Sequence, residues 1–319
     1  MFKKTSITLL ILAAGSVLAA PPQSVTDCGT IITEPGNYKL VNDLLDCEAG
    51  GVTIVSSDVK LDLKSHEISC ADTGQLIGGV VVAGTEDAAV RNVTVKSGHV
   101  SNCVDGIVLI LTEDSKIMHM SSTGNRLLDD AYGTGITVYL SHNNVIMKNH
   151  TFGNASDGIA SIGSSGNLFK HNTSTDNGNG FGIYLEIETN SRIMCNQIHG
   201  NVDGIWLAGG SGNLLRGNFV SSNIAGGIGM MGFLWDGFLW LDMPAGNTIR
   251  SNITEDNPWS DVSEILYDWV TGEILLHPEG TCMNTWEKNQ FETELGPTDC
   301  FGVPYELEDD DVCALDYDD

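Results

Sequence analysis

Asp105, Asp157 and Asp203 each stand directly before a glycine. Asp157 and Asp203 lie two periods of 23 residues apart. If one period is one rung of a stack, their carboxyls are about 9 to 10 Å apart. That is the wide end of the spacing in an inverting glycosidase, where one carboxyl protonates the leaving oxygen and the other activates water. Asp-Gly is also a turn dipeptide whose carboxylate bonds nearby amides, and that reading stands beside the chemical one. A second constellation is cationic. Lys148, Lys170, Arg192, Arg216, Arg250 and Lys288 recur once per repeat, with Lys116 and Arg91 continuing the row. Neighbouring charges about 5 Å apart repel by roughly 1 kcal/mol in water, so such a stripe needs anions beside it. An acidic polysaccharide could supply them, and so could the protein's own Asp and Glu. A lyase needs a base and a cation to stabilise enolate-like charge. Lys170, His171, Arg192, Arg216 and His199 could fill those roles. The catalytic candidates are therefore Asp157, Asp203, Lys170, His171, Arg192 and Arg216, and no one of them is singled out.

A third set could hold a sugar ring. Tyr184 and Trp206 are expected on adjacent rungs of one outward surface, with Tyr139 and Glu186 a step further along. GFLWDGFLWLDM, beginning at Gly232, interrupts the repeat and carries Phe233, Trp235, Phe238 and Trp240. Flat rings with a polar edge suit a sugar cleft. The expected substrate-binding residues are Tyr184, Trp206, Glu186, Trp235 and Trp240. The inserted rings could instead pack back on the scaffold or form an oligomer contact.

The elements that must position these groups follow from a repeat. Gly-Ile recurs at Gly106, Gly135, Gly158, Gly182, Gly204 and Gly227. Asn144, Asn167, Asn190 and Asn213 are each 23 residues apart, with Asn247 after a gap of 34. Further asparagines follow at Asn149, Asn172, Asn196, Asn218 and Asn252, then at Asn154, Asn177, Asn201, Asn223 and Asn257. A unit of this length, with short apolar alternations between Gly/Asn/Ser clusters, suits one rung of a parallel β-solenoid. Asparagines in register can exchange amide hydrogen bonds from rung to rung. Asn and Gly also tolerate the left-handed backbone of tight corners. Ile107/Leu109, Ile136/Val138, Ile183/Leu185 and Ile205/Leu207 should point inward as stacked aliphatics.

The run VKLDLKSHEIS, residues 59 to 69, is similar to the second-coil signature of NosD-like and related right-handed parallel β-helix proteins. The Asp-Gly-Ile and spaced-Asn repeats resemble the generic repeat of the pectate-lyase-like superfamily. The resemblance spans roughly residues 28 to 300. It implies an all-β fold, a single-stranded right-handed parallel β-helix of about ten coils with capped ends. That architecture carries many reactions as well as non-enzymatic proteins, so it does not fix an activity. The NosD resemblance also raises maturation of a copper enzyme. Met118-His119-Met120 is the softest ligand cluster, but strand alternation would put His119 on the opposite side from the methionines.

Residues 1–19 read as a secretory signal, with Lys3 and Lys4 before a short apolar run. Residues 20–50 should form an N-terminal cap and first coil, 51–300 the β-helix with its insertion at 233–243, and 301–319 an acidic, solvated tail. Removing the signal moves the formal charge from -27 to -29, which disfavours nucleic acid as a partner. No further apolar run approaches a membrane span. Eight cysteines without a CxxC pair point to disulfides in a secreted or periplasmic chain. Cys28 with Cys47 and Cys282 with Cys300 should staple the ends, while Cys70, Cys103, Cys195 and Cys313 remain open. No metal site or cofactor is identified, though the tail could hold Ca2+ loosely. The reading is an exported β-helix that engages a carbohydrate polymer, an anionic one by its basic stripe, with lyase or hydrolase chemistry open. The alternatives are a non-enzymatic surface, adhesion or scaffold protein and, least supported, a copper-enzyme maturation factor.

Overall fold

The computed structural model describes residues 21–71, 78–126, 133–235, 238–241, 243–268, 270–271, 274–276, 282–296, 298–305 and 313. The expected signal peptide lies outside the described residues. The chain winds as a right-handed parallel β-helix with three strands to a turn. One turn shows the plan: Arg192–Met194 on the first face, Gln197–His199 on the second and Asp203–Ala208 on the third. Each strand pairs in parallel with its equivalent in the next coil. Among the described residues the third-face sheet holds 13 strands, of which Phe238–Leu241 and Ile274–Leu276 are antiparallel additions.

Register converts the sequence repeat into continuous columns. On the first face Ile117, Ile146, Phe169, Ile193, Leu215, Ile249 and Trp286 stack inward, rung upon rung. On the third, Ile136, Ile159, Ile183, Ile205, Ile228 and Val262 do the same. These side chains are buried, and each fully buried aliphatic contributes about 1.5–3 kcal/mol, which no isolated rung could retain.

The corners are held by three polar ladders. The second runs from Asn149 through Asn172, Asn196, Asn218 and Asn252 to Asn289, each Oδ1 accepting the backbone and side-chain N–H of the asparagine before it. The third runs from Asn125 to Asn257. The left-handed residue is not the ladder asparagine itself but the one before it: Lys148, His171, Cys195, Gly217, Ser251 and Lys288 along the second ladder all have positive φ. The glycine of each Gly-Ile pair serves a different need. At Gly158 a Cβ would lie 1.9 Å from Ser174 Oγ and 2.8 Å from Asn177 Nδ2, because the sharp corner brings the second face's interior against the third.

One asparagine departs from the expected pattern. Asn190 is exposed, with φ +55°, and takes the left-handed place. Ser191 is the ladder member, accepting Asn167 N–H at 2.8 Å and donating its own amide to Asn213 Oδ1 at 2.9 Å. The slip arises upstream, where Ile183 follows Ile159 by 24 residues because the corner at Gly178–Gly180 is one residue longer.

Both ends are closed. Asp261 accepts from Asn257 with one oxygen and from the amides of Glu292 and Thr293 with the other, so it terminates the third ladder. Glu264 occupies the rung position of Met230 and accepts from Met283 N and Trp286 Nε1. Trp286, Phe291 and Phe301 pack edge to face over the core. Cystines join Cys28 to Cys47, Cys70 to Cys103, Cys282 to Cys300 and Cys195 to Cys313. The tail is therefore not a free appendage: Phe301 is buried in the cap, Tyr305 N–H donates to Asn289 O, and Cys313 is bonded to the side of the solenoid.

Candidate functional site

The outer surface of the third face carries a strip of aromatic rings. Phe181 and Tyr184 stack within the strand Phe181–Glu186, with centroids 4.9 Å apart. Phe181 meets Trp206 of the next rung at 5.8 Å, and Trp206 stacks on Trp259 at 6.5 Å with 12° between planes. Tyr184 and Trp206 are register partners, as their spacing implied. Trp206 is nonetheless only 2% exposed, so it underlies the strip rather than presenting a free ring. Its indole lies over Gly229, where a Cβ would sit 2.8 Å from the ring. Trp259 is 43% exposed and is the ring most open to a ligand. Neither Phe181 nor Trp259 stood out in the sequence. Phe181 replaces the aspartate of the Asp-Gly-Ile repeat, and Trp259 precedes Ser260, three rungs beyond Phe181 in the same register.

Carboxyls flank these rings. Asp157 Oδ1 accepts Phe181 N–H at 2.8 Å, Asp203 Oδ1 accepts Gly226 N–H at 2.7 Å, and Asp105 Oδ1 accepts Thr134 N–H at 3.0 Å. All three therefore bond amides of the next coil, 23 to 29 residues on in sequence, rather than amides of their own turn. Burial pushes the Asp157 carboxyl up to about 6, against the Phe181 amide and with Asp105 adding to the rise. Burial likewise raises Asp203 and Asp105. Glycines make room: a Cβ on Gly180 would lie 2.2 Å from Asp157 Oδ1. Tyr184 Oη donates to Glu186 Oε2 at 3.0 Å, and burial followed by the Glu186 charge holds the phenol well above its usual range. Asp157 and Asp203 are two rungs apart, but the rung between them is that of Phe181.

The basic residues lie elsewhere. Lys116, Lys170, Arg192, Arg216 and Arg250 share the outward side of the first face but do not form one row, and Arg91 lies off that face, beside Glu113 in a separate two-stranded sheet. Lys170, Arg216 and Arg250 belong to a column that also holds Met147 and Met194; Lys116 and Arg192 belong to another; Lys148 and Lys288 sit on the corner. The lyase candidates Lys170, His171, Arg192 and Arg216 are thus on a different face from Tyr184, Trp206, Asp157 and Asp203. Lys148, His171, Asn172, Thr173, Cys195 and Gln197 line a cleft of about 370 Å³ at the first corner. The side chains of Trp235 and Trp240 lie outside the described residues, although the backbone places them on a hairpin, Gly226–Trp235 paired with Phe238–Leu241.

A buried carboxyl inside the solenoid was also missed. Glu188 accepts from Ser161 Oγ, Ser191 Oγ and Asn167 Nδ2 and is fully buried. It fills the interior where Ser161 stands between the aliphatic side chains of Val138 and Leu185. Burial raises its pKa against those three donors.

Metal donors are sparse. His119 is exposed at a left-handed corner, Met118 points outward and Met120 is buried, so the corner separates the two methionines as well. Met118 and Met147 are register neighbours and supply two thioethers only. Every cysteine is in a disulfide. Among the described residues no three His, Cys, Asp or Glu side chains group as a metal site. Among the described residues such donors do not group as a copper centre.

A family profile described as Periplasmic copper-binding protein (NosD) matches residues 67–274. No curated protein matches in sequence. Among solved structures, the A-module of the Azotobacter vinelandii mannuronan C-5 epimerase AlgE4 is 15% identical, covers 88% of this chain and 89% of its own, and superposes with a TM-score of 0.52. The periplasmic alginate epimerase AlgG is 13% identical, covers 88% and 73%, and gives 0.57. The Dettilon tailspike protein is 16% identical, covers 85% and 60%, and gives 0.54. At these identities the likeness is one of fold.

Proposed function

Because the chain belongs to the NosD family of exported parallel β-helix proteins, with four disulfides consistent with an oxidising compartment, we propose that it binds a polysaccharide along the aromatic strip of the third face. The observation that carries this reading is the run Tyr184, Phe181, Trp206 and Trp259, with Trp259 exposed and hydrogen-bonding carboxyls beside it. Stacked rings give a sugar an apolar platform, and side-chain carboxyls give its hydroxyls acceptors. The mannuronan and alginate epimerases of similar fold act on polysaccharides by their descriptions, which supports the ligand class.

The charge of this face favours an uncharged polymer. Asp105, Asp157, Asp203 and Glu186 border the strip, and the cations that prompted an anionic ligand are on another face. Binding is favoured over hydrolysis because Phe181 fills the rung where a scissile bond would lie between Asp157 and Asp203. Both carboxyls are also engaged by backbone amides.

The test is affinity of the mature protein for neutral, uronate and sulfated polysaccharides, with reducing ends and unsaturated ends measured in parallel. The expected result is binding to a neutral polymer without bond cleavage, weakened about tenfold in Trp259→Ala. Binding unchanged by Trp259→Ala would overturn the site. New reducing ends that vanish in Asp157→Asn would replace the binding reading with a hydrolase.

A further inference from the structure

Trp206 Nε1 and Ser260 Oγ are buried and close no hydrogen bond among the described residues. Their side chains lie in residues only 2% and 1% exposed. Buried polar groups are nearly always paired, so two orphans side by side call for a partner. Register brings them together. Asp203, Gly226 and Ser260 follow one another along a column at the start of the third face: Asp203 Oδ1 accepts Gly226 N–H at 2.7 Å, and Gly226 pairs with Ser260. Gly226 is the middle rung, and its missing side chain leaves a notch. A Cβ there would lie 2.9 Å from Asp203 Oδ1, 3.5 Å from Trp206 Cζ2 and 3.7 Å from Trp206 Nε1. Ser260 stands one rung further on, about 4.8 Å away along the axis.

The polar groups around this notch match one chemical group. Two hydrogens face it, the Trp206 indole N–H and the Ser260 hydroxyl, beside the carboxyl of Asp203 as acceptor. Burial raises the Asp203 carboxyl, and the Gly226 amide and the Trp206 indole act against that rise, although the indole closes no well-formed hydrogen bond to it. A hydroxyl brings two lone pairs and one hydrogen, the complement of two donors and one acceptor. An ammonium has no lone pair for either donor, and a carboxylate would face Asp203. Trp259, the residue before Ser260, stacks on Trp206 at 6.5 Å and is 43% exposed, so a ring open to a ligand adjoins the notch.

We propose that the Gly226 notch is a hydroxyl subsite of the glycan site: a sugar seated against Trp259 turns one hydroxyl into it, accepting from Trp206 Nε1 and Ser260 Oγ and donating to Asp203. This assignment rests on the glycan reading of the third face. It adds the residues that select among neutral sugars by the position of one hydroxyl.

The test is nuclear magnetic resonance of the mature, oxidised protein labelled with 15N-tryptophan, in which each of the six tryptophans gives one indole signal. Trp206→Phe and Trp259→Phe assign the two signals at the notch. The probes are the methyl β-glycosides of D-glucose, D-mannose, D-galactose and D-xylose. At least one should shift the Trp259 and Trp206 signals on a single saturation curve, with Trp206 moving downfield as its N–H gains an acceptor. Gly226→Ala fills the notch and Ser260→Ala removes one donor. Each should weaken that sugar about two- to tenfold, the effect of one lost hydrogen bond. Gly226→Ala should also abolish the Trp206 shift while the Trp259 shift persists at higher sugar. The Trp286 indole, bonded to Glu264 at 3.1 Å in the C-terminal cap, should keep its position and so reports an intact fold. If Gly226→Ala moves that signal, Ser260→Ala alone decides. A shift at Trp259 without one at Trp206, the result for a notch that holds an ordered water only, overturns the subsite and leaves the aromatic platform standing. A Trp206 response that survives the variants unchanged does the same. No shift at either indole with all four sugars overturns the subsite together with the platform.

Discussion

Neighbouring residues Asn190 and Ser191 should respond to substitution in opposite ways from what a 23-residue period implies. Ser191→Ala removes the acceptor of a fully buried amide, Asn167 N–H, which no other group replaces. It also takes away one of three donors to the buried Glu188 carboxyl. An orphaned buried donor costs about 1–3 kcal/mol and a lost bond to a charged group about 1.5–3, so the variant should lose about 2.5–6 kcal/mol. Asn190→Gly leaves every ladder bond in place and puts glycine at φ +55°, so it should change stability by less than about 0.5 kcal/mol. Urea unfolding of the oxidised proteins at pH 7 measures both, with the m-value checked for constancy. Hydrogen exchange at Asn167 localises the effect: its protection should fall in Ser191→Ala alone. A larger loss in Asn190→Gly than in Ser191→Ala would refute the ladder register and restore Asn190 to it.

Three further outcomes follow from the site. A raised carboxyl binds its proton more tightly in the folded state, so Asp157 contributes stability that is full below pH 3.8 and is lost as pH rises through about 6. Asp157→Asn keeps an acceptor for Phe181 N–H and should stabilise the protein at pH 8 by up to about 3 kcal/mol, with little effect at pH 3.5, in paired urea titrations. Gly229→Ala puts a Cβ against the indole of Trp206, so it should displace the ring, change its fluorescence and weaken glycan binding about as much as Trp259→Ala does. Glu188→Gln retains acceptor capacity without a buried charge and should be tolerated, whereas Glu188→Leu strands Ser161, Ser191 and Asn167 donors and should cost about 3 kcal/mol or more by urea unfolding.

The sequence by itself determined the β-helix, because stacking makes equivalent residues of successive coils neighbours and so writes the fold as a period. Gly-Ile pairs, inward aliphatics and spaced asparagines each recur for a local reason, a crowded corner, a shared core or a polar ladder, and each is visible one coil at a time. Asn284 and Asn289 repeat the five-residue asparagine spacing and extend two of the ladders. Position around the coil, however, depends on counting from a corner, and a single extra residue near Gly178–Gly180 moved Asn190 out of its ladder and Ser191 into it. The same fineness separates Lys170, Arg216 and Arg250 from Arg192, since a strand alternates its faces every residue. The tertiary structure alone decided which outward rings meet. Trp259 reaches Trp206 across a rung left empty by Gly226 and Gly229, a contact carried by side-chain direction and the lack of a Cβ rather than by any repeat. It alone also paired Cys195 with Cys313 across a separation of 118 residues, which nothing in their sequence positions connects.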